Sequence, residues 1–252
     1  MHRPRLIPCL LLDGNKLVKT MRFERPAYVG DPINTLKIFN EKEVDELIVL
    51  DIGASKTGAP PNFALVAGIA SECFMPMCYG GGIRSVDDAE RLIASGVEKI
   101  AINSAALDRP ALIGEIARRY GSSSVVVGID VRKAWLKGQR VWHSGQRKSS
   151  GLKVLDWARQ ATEAGAGELL LNAVDRDGTL QGYDLDLVRE VTAAVTVPVI
   201  ACGGASGLPD CKAVIASAGA SAAAAGALFV YKGPHRAVLI NYPTPAQLQE
   251  LF

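Results

Sequence analysis

The sequence is poor in the features that most quickly declare a function. Phe, Tyr and Trp supply only 6% of its 252 residues, and the net charge is +2. A nucleic-acid surface needs a basic stripe interleaved with aromatics, and none is present, so nucleic acid is not an expected partner. Cysteine is sparse and odd in number. Cys9, Cys73, Cys78, Cys202 and Cys211 show no C-x-x-C spacing and sit mostly in apolar runs, which reads as the reduced, buried thiols of a cytoplasmic protein. His2, His143 and His235 lie far apart and complete no zinc ligand set, so neither a metal nor a cofactor is expected. The opening apolar stretch, Leu6 to Leu12, contains Pro8 and meets Asp13 after seven residues, too short for the core of a signal peptide. Ala213 to Tyr231 carries no charge for nineteen residues. Ala, Gly and Ser dominate it, however, and it reads as a helix, a turn and a short strand in a core, with no membrane contact expected.

What is present is enough to bury a core. Hydrophobic residues make up 48% and charged residues 21%, and the mean hydropathy is +0.15. A chain of this size buries roughly 70% of its unfolded surface, and a single α/β barrel of about 250 residues fits its length. Eight short aliphatic runs recur: Leu6 to Leu11, Leu47 to Leu50, Met75 to Tyr79, Lys99 to Ile102, Ser124 to Ile129, Glu168 to Leu171, Val197 to Ala201 and Ala222 to Phe229. They are continuously apolar instead of alternating, as strands covered on both faces must be.

Helix punctuation follows these runs. Asp31-Pro32 precedes Ile33 to Phe39, Ser85-x-x-Asp88 precedes Ala89 to Ala94, and Asp108 with Pro110 precedes Leu112 to Arg118. Further helices are expected at Val154 to Ala164, Asp184 to Ala194, Leu208 to Ala216 and Pro245 to Leu251. Eight strand–helix units of roughly 31 residues predict a (β/α)8 TIM barrel, with a doubly wound open sheet as the other arrangement of parallel strands. Met75-Pro76-Met77-Cys78-Tyr79-Gly80-Gly81-Gly82 echoes Val197-Pro198-Val199-Ile200-Ala201-Cys202-Gly203-Gly204 half a chain later, an internal half-barrel repeat. No linker divides the chain, so residues 1–252 are expected to form one domain. Val131 to Gly151 is the longest interruption, and its Lys137-Gly138 tip between Ala134-Trp135 and Arg140 to Trp142 predicts a small hairpin after the fifth strand.

In such a barrel the active site lies where strands end. Gly80 to Gly82, Asn103-Ser104, Asp177-Gly178, Gly203-Gly204 and Gly226 fall there, and glycine turns opening onto helix starts suit phosphate oxygens, which predicts two phosphate sites on opposite sides. Tight turns alone are the plainer explanation of such glycines. Asp51 and Asp130 end the second and fifth strands and are acid/base candidates, with helix capping equally able to explain either one alone. Lys19, Arg132, Lys133, Arg147 and Lys148 are candidates to attract an anionic substrate, with a merely solvated face equally able to explain the four loop cations. At the opposite rim, Arg5, Glu46, Lys99 and Glu168 stand just before or at the start of four strands and should converge. Structural stabilisation is the usual meaning of polar groups at that face, a gated entrance the other.

Cys9-Leu10, Val18-Lys19, Gly30-Asp31-Pro32, Asp45-Glu46-Leu47, Leu50-Asp51-Ile52, Gly80-Gly81-Gly82-Ile83, Ile129-Asp130, Asp175-Arg176-Asp177-Gly178-Thr179 and Gly203-Gly204-Ala205 resemble the HisF family, the cyclase subunit of imidazole glycerol phosphate synthase, from about residue 5 to 230. The resemblance implies a lyase that takes ammonia from a HisH-like glutaminase partner and acts on a phosphorylated ribotide. It implies that Asp130 is one of two catalytic aspartates. Gly82, Asn103, Asp177, Gly178, Gly204 and Ala225 match positions around two substrate phosphates, and Arg5, Glu46, Lys99 and Glu168 match an ammonia gate, which turns the rim toward function.

The chain departs from the family pattern in two places. The other catalytic aspartate of the family follows Cys-Leu near the end of the first strand, where this chain has Leu11, and a leucine transfers no proton. Asp13 lies two residues on, on the same side of an extended chain, and is the acid/base candidate to stand in for it. Asn172 replaces a threonine of the sixth strand. Leu10-Leu11-Leu12, Val18-Lys19-Thr20 and the ending Gly233-Pro234-His235-Arg236-Ala237-Val238-Leu239-Ile240-Asn241-Tyr242-Pro243 are similar to a diverged HisF-like branch associated with surface-polysaccharide synthesis. That similarity implies supply of ammonia to a sugar amidotransferase, with genuine histidine-pathway cyclisation as the alternative.

Overall fold

The eight apolar runs close into a ring. The computed structural model describes residues 3–134, 138–233 and 235–252. His2, Trp135, Lys137 and Pro234 lie outside these residues, and the expected hairpin tip is described only from Gly138 onward. The barrel strands are β1 (Arg5–Asp13), β2 (Leu47–Asp51), β3 (Met77–Gly80), β4 (Lys99–Ile102), β5 (Val125–Ala134), β6 (Glu168–Ala173), β7 (Val199–Cys202) and β8 (Ala222–Ala225). Each pairs in parallel with the next, and β8 returns to β1 through Arg5 opposite Ala222. This is the (β/α)8 barrel, and the open-sheet alternative is excluded by that last pairing.

Alternation along each strand sorts the side chains into two cores. Ile7, Cys9, Ile48, Cys78, Val126, Leu170, Ile200, Cys202 and Ala222 pack inside the ring. The intervening residues, such as Leu6, Leu10, Leu47, Val49, Val127 and Leu169, pack against the helices outside. Because both faces are buried, the strands could not be read from alternation, only from unbroken apolarity.

The outer helices include α1 (Pro32–Glu41), α2 (Ile52–Thr57), α3 (Phe63–Ser71), α4 (Val86–Ala94), α5 (Ser104–Asp108) and α6 (Ala111–Tyr120). They continue with α7 (Val154–Glu163), α8 (Leu185–Ala194), α9 (Leu208–Ala216), α10 (Ala227–Val230) and α11 (Pro245–Leu251). The expected caps form: Asp31 accepts the Asn34 amide at 2.9 Å, and Ser85 and Asp88 make a reciprocal capping box. Asp108 does not cap α6. It ends the short α5, and Pro110 takes the capping position.

Other boundaries shift for local reasons. The eighth run stops at Ala225, not Phe229, because Gly226 leaves the extended conformation at φ −99°, ψ −69° and opens α10; a Cβ there would come within 3.0 Å of the Cys9 carbonyl and 2.9 Å of the Lys19 chain. The runs expected from Met75 and Val197 begin at Met77 and Val199, one residue past Pro76 and Pro198. Two segments were not anticipated. Lys16–Met21 folds back antiparallel on the end of β1 through a Gly14-Asn15 turn with Gly14 at φ +63°, a two-residue turn signal present in the sequence, and Glu24–Gly30 pairs antiparallel with Lys16–Met21 through Arg22-Phe23. Helices α2 and α3 fill the second crossover. The hairpin after the fifth strand is present, with Val131 opposite Val141. In the tail, the Tyr242 hydroxyl donates to the Leu6 carbonyl at 2.9 Å and its ring packs 5.4 Å from that of Phe229, tying the chain end to β1.

Candidate functional site

The lower rim carries a closed ring of charge. The Lys99 ammonium donates to both Glu46 oxygens at 3.1 Å and to Glu168 at 2.9 Å. The Arg5 guanidinium donates to Glu168 at 2.6 Å and also to Glu46. Each cation touches both anions, so four strands are stitched across the base of the barrel. Only 2% of the Glu46 side chain is exposed. Burial works against protonation of Arg5 and Lys99, but hydrogen bonds and charge from Glu168 and Glu46 outweigh it, and both groups hold their protons more tightly than usual. Directly inside lies Cys78, whose thiol is pushed well up by burial and, next, by the Glu46 charge. The four residues read from the sequence therefore meet on one axis, beneath an apolar interior.

At the upper end the interior opens into a cavity of about 720 Å³ whose walls include Cys9, Leu11, Lys19, Asp51, Gly80–Gly82, Asn103, Ser104, Asp130, Leu170, Asn172, Asp177, Cys202 and Gly226. Arg22, Lys56, Arg84, Arg109, Arg132 and Arg147 also line it, a cationic mouth suited to an anion. Lys133 and Lys148 are not part of this wall; the Lys133 amide instead donates to Asp175 at 2.8 Å.

Asp130 is the carboxylate placed for proton transfer. It is 7% exposed, and its pKa is pushed up to about 6 by burial, against hydrogen bonds from Ser144, Asn103 and Asn172 and with a small addition from the Asp177 charge. Asn103 Nδ2 donates to Asp130 Oδ2 at 2.7 Å, and the Ser144 hydroxyl donates to the same oxygen. A carboxyl near neutrality gives and takes protons readily.

Asp51 is different. It caps α2 by accepting the Ala54 amide at 2.8 Å, and it accepts the Tyr79 hydroxyl at 3.4 Å. Burial raises its pKa against both bonds. Leu11 occupies the cavity wall on β1, while Asp13 is not part of that wall; its carboxylate lies 3.9 Å from Lys56. The structure thus brings Asp130 and Asp51 to the cavity and leaves Asp13 outside it.

The glycine turns gather in two groups on opposite sides of the ring. Asp177, Gly178, Gly203, Gly204, Ala205, Ala225, Gly226 and Ala227 line a small cleft over β7 and β8. Gly80 to Gly82, Asn103 and Ser104 lie over β3 and β4, four strands away. Gly204 has φ +111°, and a Cβ there would stand 2.1 Å from the Gly182 carbonyl; Gly81 has φ +115°, with a Cβ 2.3 Å from the Asp51 carbonyl. No other residue fits either place. Lys19 reaches across, donating to Asp177 at 2.9 and 3.1 Å and to the Thr20 carbonyl at 2.9 Å.

Sequence reasoning missed Ser144, which the hairpin after β5 folds back onto Asp130. It treated His143 as isolated, yet His143 is 6% exposed, with Nε2 3.1 Å from Asp108 and Nδ1 accepting the Gln146 amide at 3.1 Å. Those contacts fasten the hairpin to α5. The cue lay in Trp142-His143-Ser144 ending the second hairpin strand, where a side chain returns to the strand it came from.

The profile of a family described as histidine biosynthesis protein matches residues 5–235. A Pseudomonas aeruginosa protein provisionally named imidazole glycerol phosphate synthase subunit hisF2 is 52% identical over 243 residues, 96% of this chain and 97% of that protein. A Leptospira borgpetersenii protein provisionally named imidazole glycerol phosphate synthase subunit HisF is 48% identical over 254 residues, the full length of both. The imidazole glycerol phosphate synthase subunit HisF of Streptomyces avermitilis is 42% identical over 225 residues, 89% of each chain.

Proposed function

Since the chain belongs to the histidine biosynthesis protein family, in its HisF-like branch, we propose that it is the ammonia-handling subunit of a glutamine amidotransferase complex, diverged from cyclisation toward amidation of a surface-polysaccharide sugar. A HisH-like glutaminase docks below the Arg5, Glu46, Lys99 and Glu168 ring and releases ammonia there. The gas passes through the apolar interior past Cys78, Ile48 and Val126 and emerges beside Asp130. A phosphorylated small molecule lies across the mouth, with one phosphate on the Gly203-Gly204 and Gly226 turns and another on the Gly81-Gly82 and Asn103-Ser104 turns. Lys19, held by Asp177, adds positive charge.

The observation that carries the divergence is Leu11. Asp130 faces the cavity free of the helix-capping bond that holds Asp51 and of the Lys19 pair that holds Asp177, and the wall at the family's second aspartate position is aliphatic. Losing one of two acid/base groups removes a factor of about a hundred to ten thousand in rate. Ammonia then leaves for a separate sugar amidotransferase, which replaces an acetamido oxygen with nitrogen, the oxygen leaving as water. Work inside a cell without export matches the free thiols.

The retained Asp130 and both glycine clefts favour one alternative, a genuine cyclase that forms imidazole glycerol phosphate and the aminoimidazole carboxamide ribotide. Complementation decides between them. A histidine auxotroph lacking its cyclase should fail to grow when it expresses this chain with its glutaminase, and growth would establish the alternative.

A further inference from the structure

The end of the chain forms a small hairpin for which the proposed function has no use. Tyr231–Lys232 pairs antiparallel with Ala237–Val238, and the Arg236 amide donates to the Gly233 carbonyl at 3.1 Å to close the connection. Arg236 does so at φ +50°, a left-handed conformation uncommon for a residue with a side chain, and such strained positions cluster at binding sites. Its neighbours His235, Ala237, Val238 and Leu239 are exposed, whereas Arg236 is half-buried. The side chain turns back onto the barrel. Its Nη2 donates to the Gly178 carbonyl at 2.9 Å, 58 residues earlier in the chain.

Gly178 belongs to the wall of the small cleft over β7 and β8. That wall consists of glycines, alanines and Asp177, so it offers backbone N–H groups to an anion but no cation of its own. Lys19 is close by, yet its ammonium donates to both Asp177 oxygens and to the Thr20 carbonyl, which balances most of its charge within the pair. Arg176 is turned to the carbonyls of Gln181 and Gly182. Arg236 differs from both. It pairs with no carboxylate among the described residues, and its single side-chain hydrogen bond leaves the rest of a planar fork of donors free. We propose that Arg236 is the cation of this cleft: one arm of the guanidinium braces the Gly178 carbonyl, and the others donate to a phosphate group seated on the Gly203-Gly204 and Gly226 turns. Fork geometry suits two phosphate oxygens at once. The inference rests on the reading that the cleft holds a phosphate, and it makes the hairpin at the chain end part of the substrate site.

The test titrates inorganic phosphate against the purified full chain, followed by 31P NMR, for the parent and for R236Q, R236K and G204A. Glutamine keeps a side-chain N–H without the charge, and lysine keeps the charge without the fork. The expected result is saturable binding by the parent, of which the component removed by G204A is weakened about tenfold in R236Q, as for a lost hydrogen bond to a charged group. R236K should recover most of that loss. A brace of purely structural meaning would instead leave R236Q and R236K equal. Should a variant fail to fold by circular dichroism, the parent still decides: the Arg236 guanidinium signal of the 15N-labelled chain should move with the same saturation as the phosphate signal. A stationary guanidinium, or an R236Q affinity equal to the parent's where G204A weakens binding, would overturn the role of Arg236 and leave the cleft in place. Phosphate binding that is absent, or indifferent to G204A, would remove the phosphate reading of the cleft and this inference with it.

Discussion

Lys99 and Glu46 share two contacts of 3.1 Å at the foot of the barrel, with the Glu46 side chain 2% exposed, so this pair is the most deeply buried link of the four-membered ring. Removing one partner strands a buried carboxylate. Lys99→Met should destabilise the fold by about 1–3 kcal/mol, less than for a fully buried pair because Arg5 still contacts both glutamates. The raised pKa of Lys99 means its stabilisation is present below its unfolded value of 10.5 and is lost as pH rises through the folded value. Urea titrations should show a wild-type advantage that is flat from neutrality to pH 10 and shrinks above 10.5. An advantage that shrinks on acidification toward pH 7 contradicts the assignment.

Asp130 loses its linked stability in the same direction, as pH rises, but over a lower pH range, so that its replacement is stabilising at neutral pH. Its folded pKa of about 6 lies above the ordinary 3.8, so the stability linked to its protonated form is full below 3.8 and lost as pH rises through 6. Each unit is worth about 1.4 kcal/mol, which puts the cost of ionised Asp130 at up to about 3 kcal/mol at neutral pH. Asp130→Asn should therefore raise the unfolding free energy by about 1–3 kcal/mol at pH 8, with little gain at pH 4. A variant less stable than the parent at pH 8 would show that the carboxylate is stabilising.

The proposed function makes Leu11 the place where acid/base chemistry is lost. Leu11→Asp adds a carboxyl to the cavity wall at the β1 position where the resemblance implies one, and Asn172→Thr installs the threonine that the resemblance implies on β6. The double variant should turn over the phosphorylated ribotide with ammonium at least about a hundredfold faster than the parent. No gain, with the protein folded, would mean that other features of the mouth block cyclisation.

The glycine clefts give a structural control. Gly204→Ala puts a Cβ 2.1 Å from the Gly182 carbonyl at φ +111° and should cost about 2–4 kcal/mol or displace the turn. Weakened inorganic phosphate binding, read by 31P NMR, is expected with it. An unchanged phosphate affinity would take the turn out of the site.

Much of this was legible in the sequence because parallel strands buried on both faces leave unbroken apolar runs, as at Leu47–Leu50 and Glu168–Leu171. Helix starts were legible where a side chain caps its own helix, as at Asp31 and Ser85. The rim ring was legible because Arg5, Glu46, Lys99 and Glu168 hold equivalent places relative to their strands. What escaped depends on chain returning over distance. Ser144 meets Asp130 only because Val131 pairs with Val141. Arg236 reaches the Gly178 carbonyl only because the chain end folds into a hairpin at Gly233, which no spacing rule reports. The Gly14-Asn15 turn was a local signal, hidden by the long apolar run of β1.

The most direct measurement is glutamine hydrolysis by the HisH-like glutaminase from the same organism, with and without this chain at micromolar concentration. The account predicts complex formation and a faster hydrolysis rate, with the stimulation disturbed by Arg5→Ala or Lys99→Ala. Absence of association, or a rate indifferent to the chain, would contradict it.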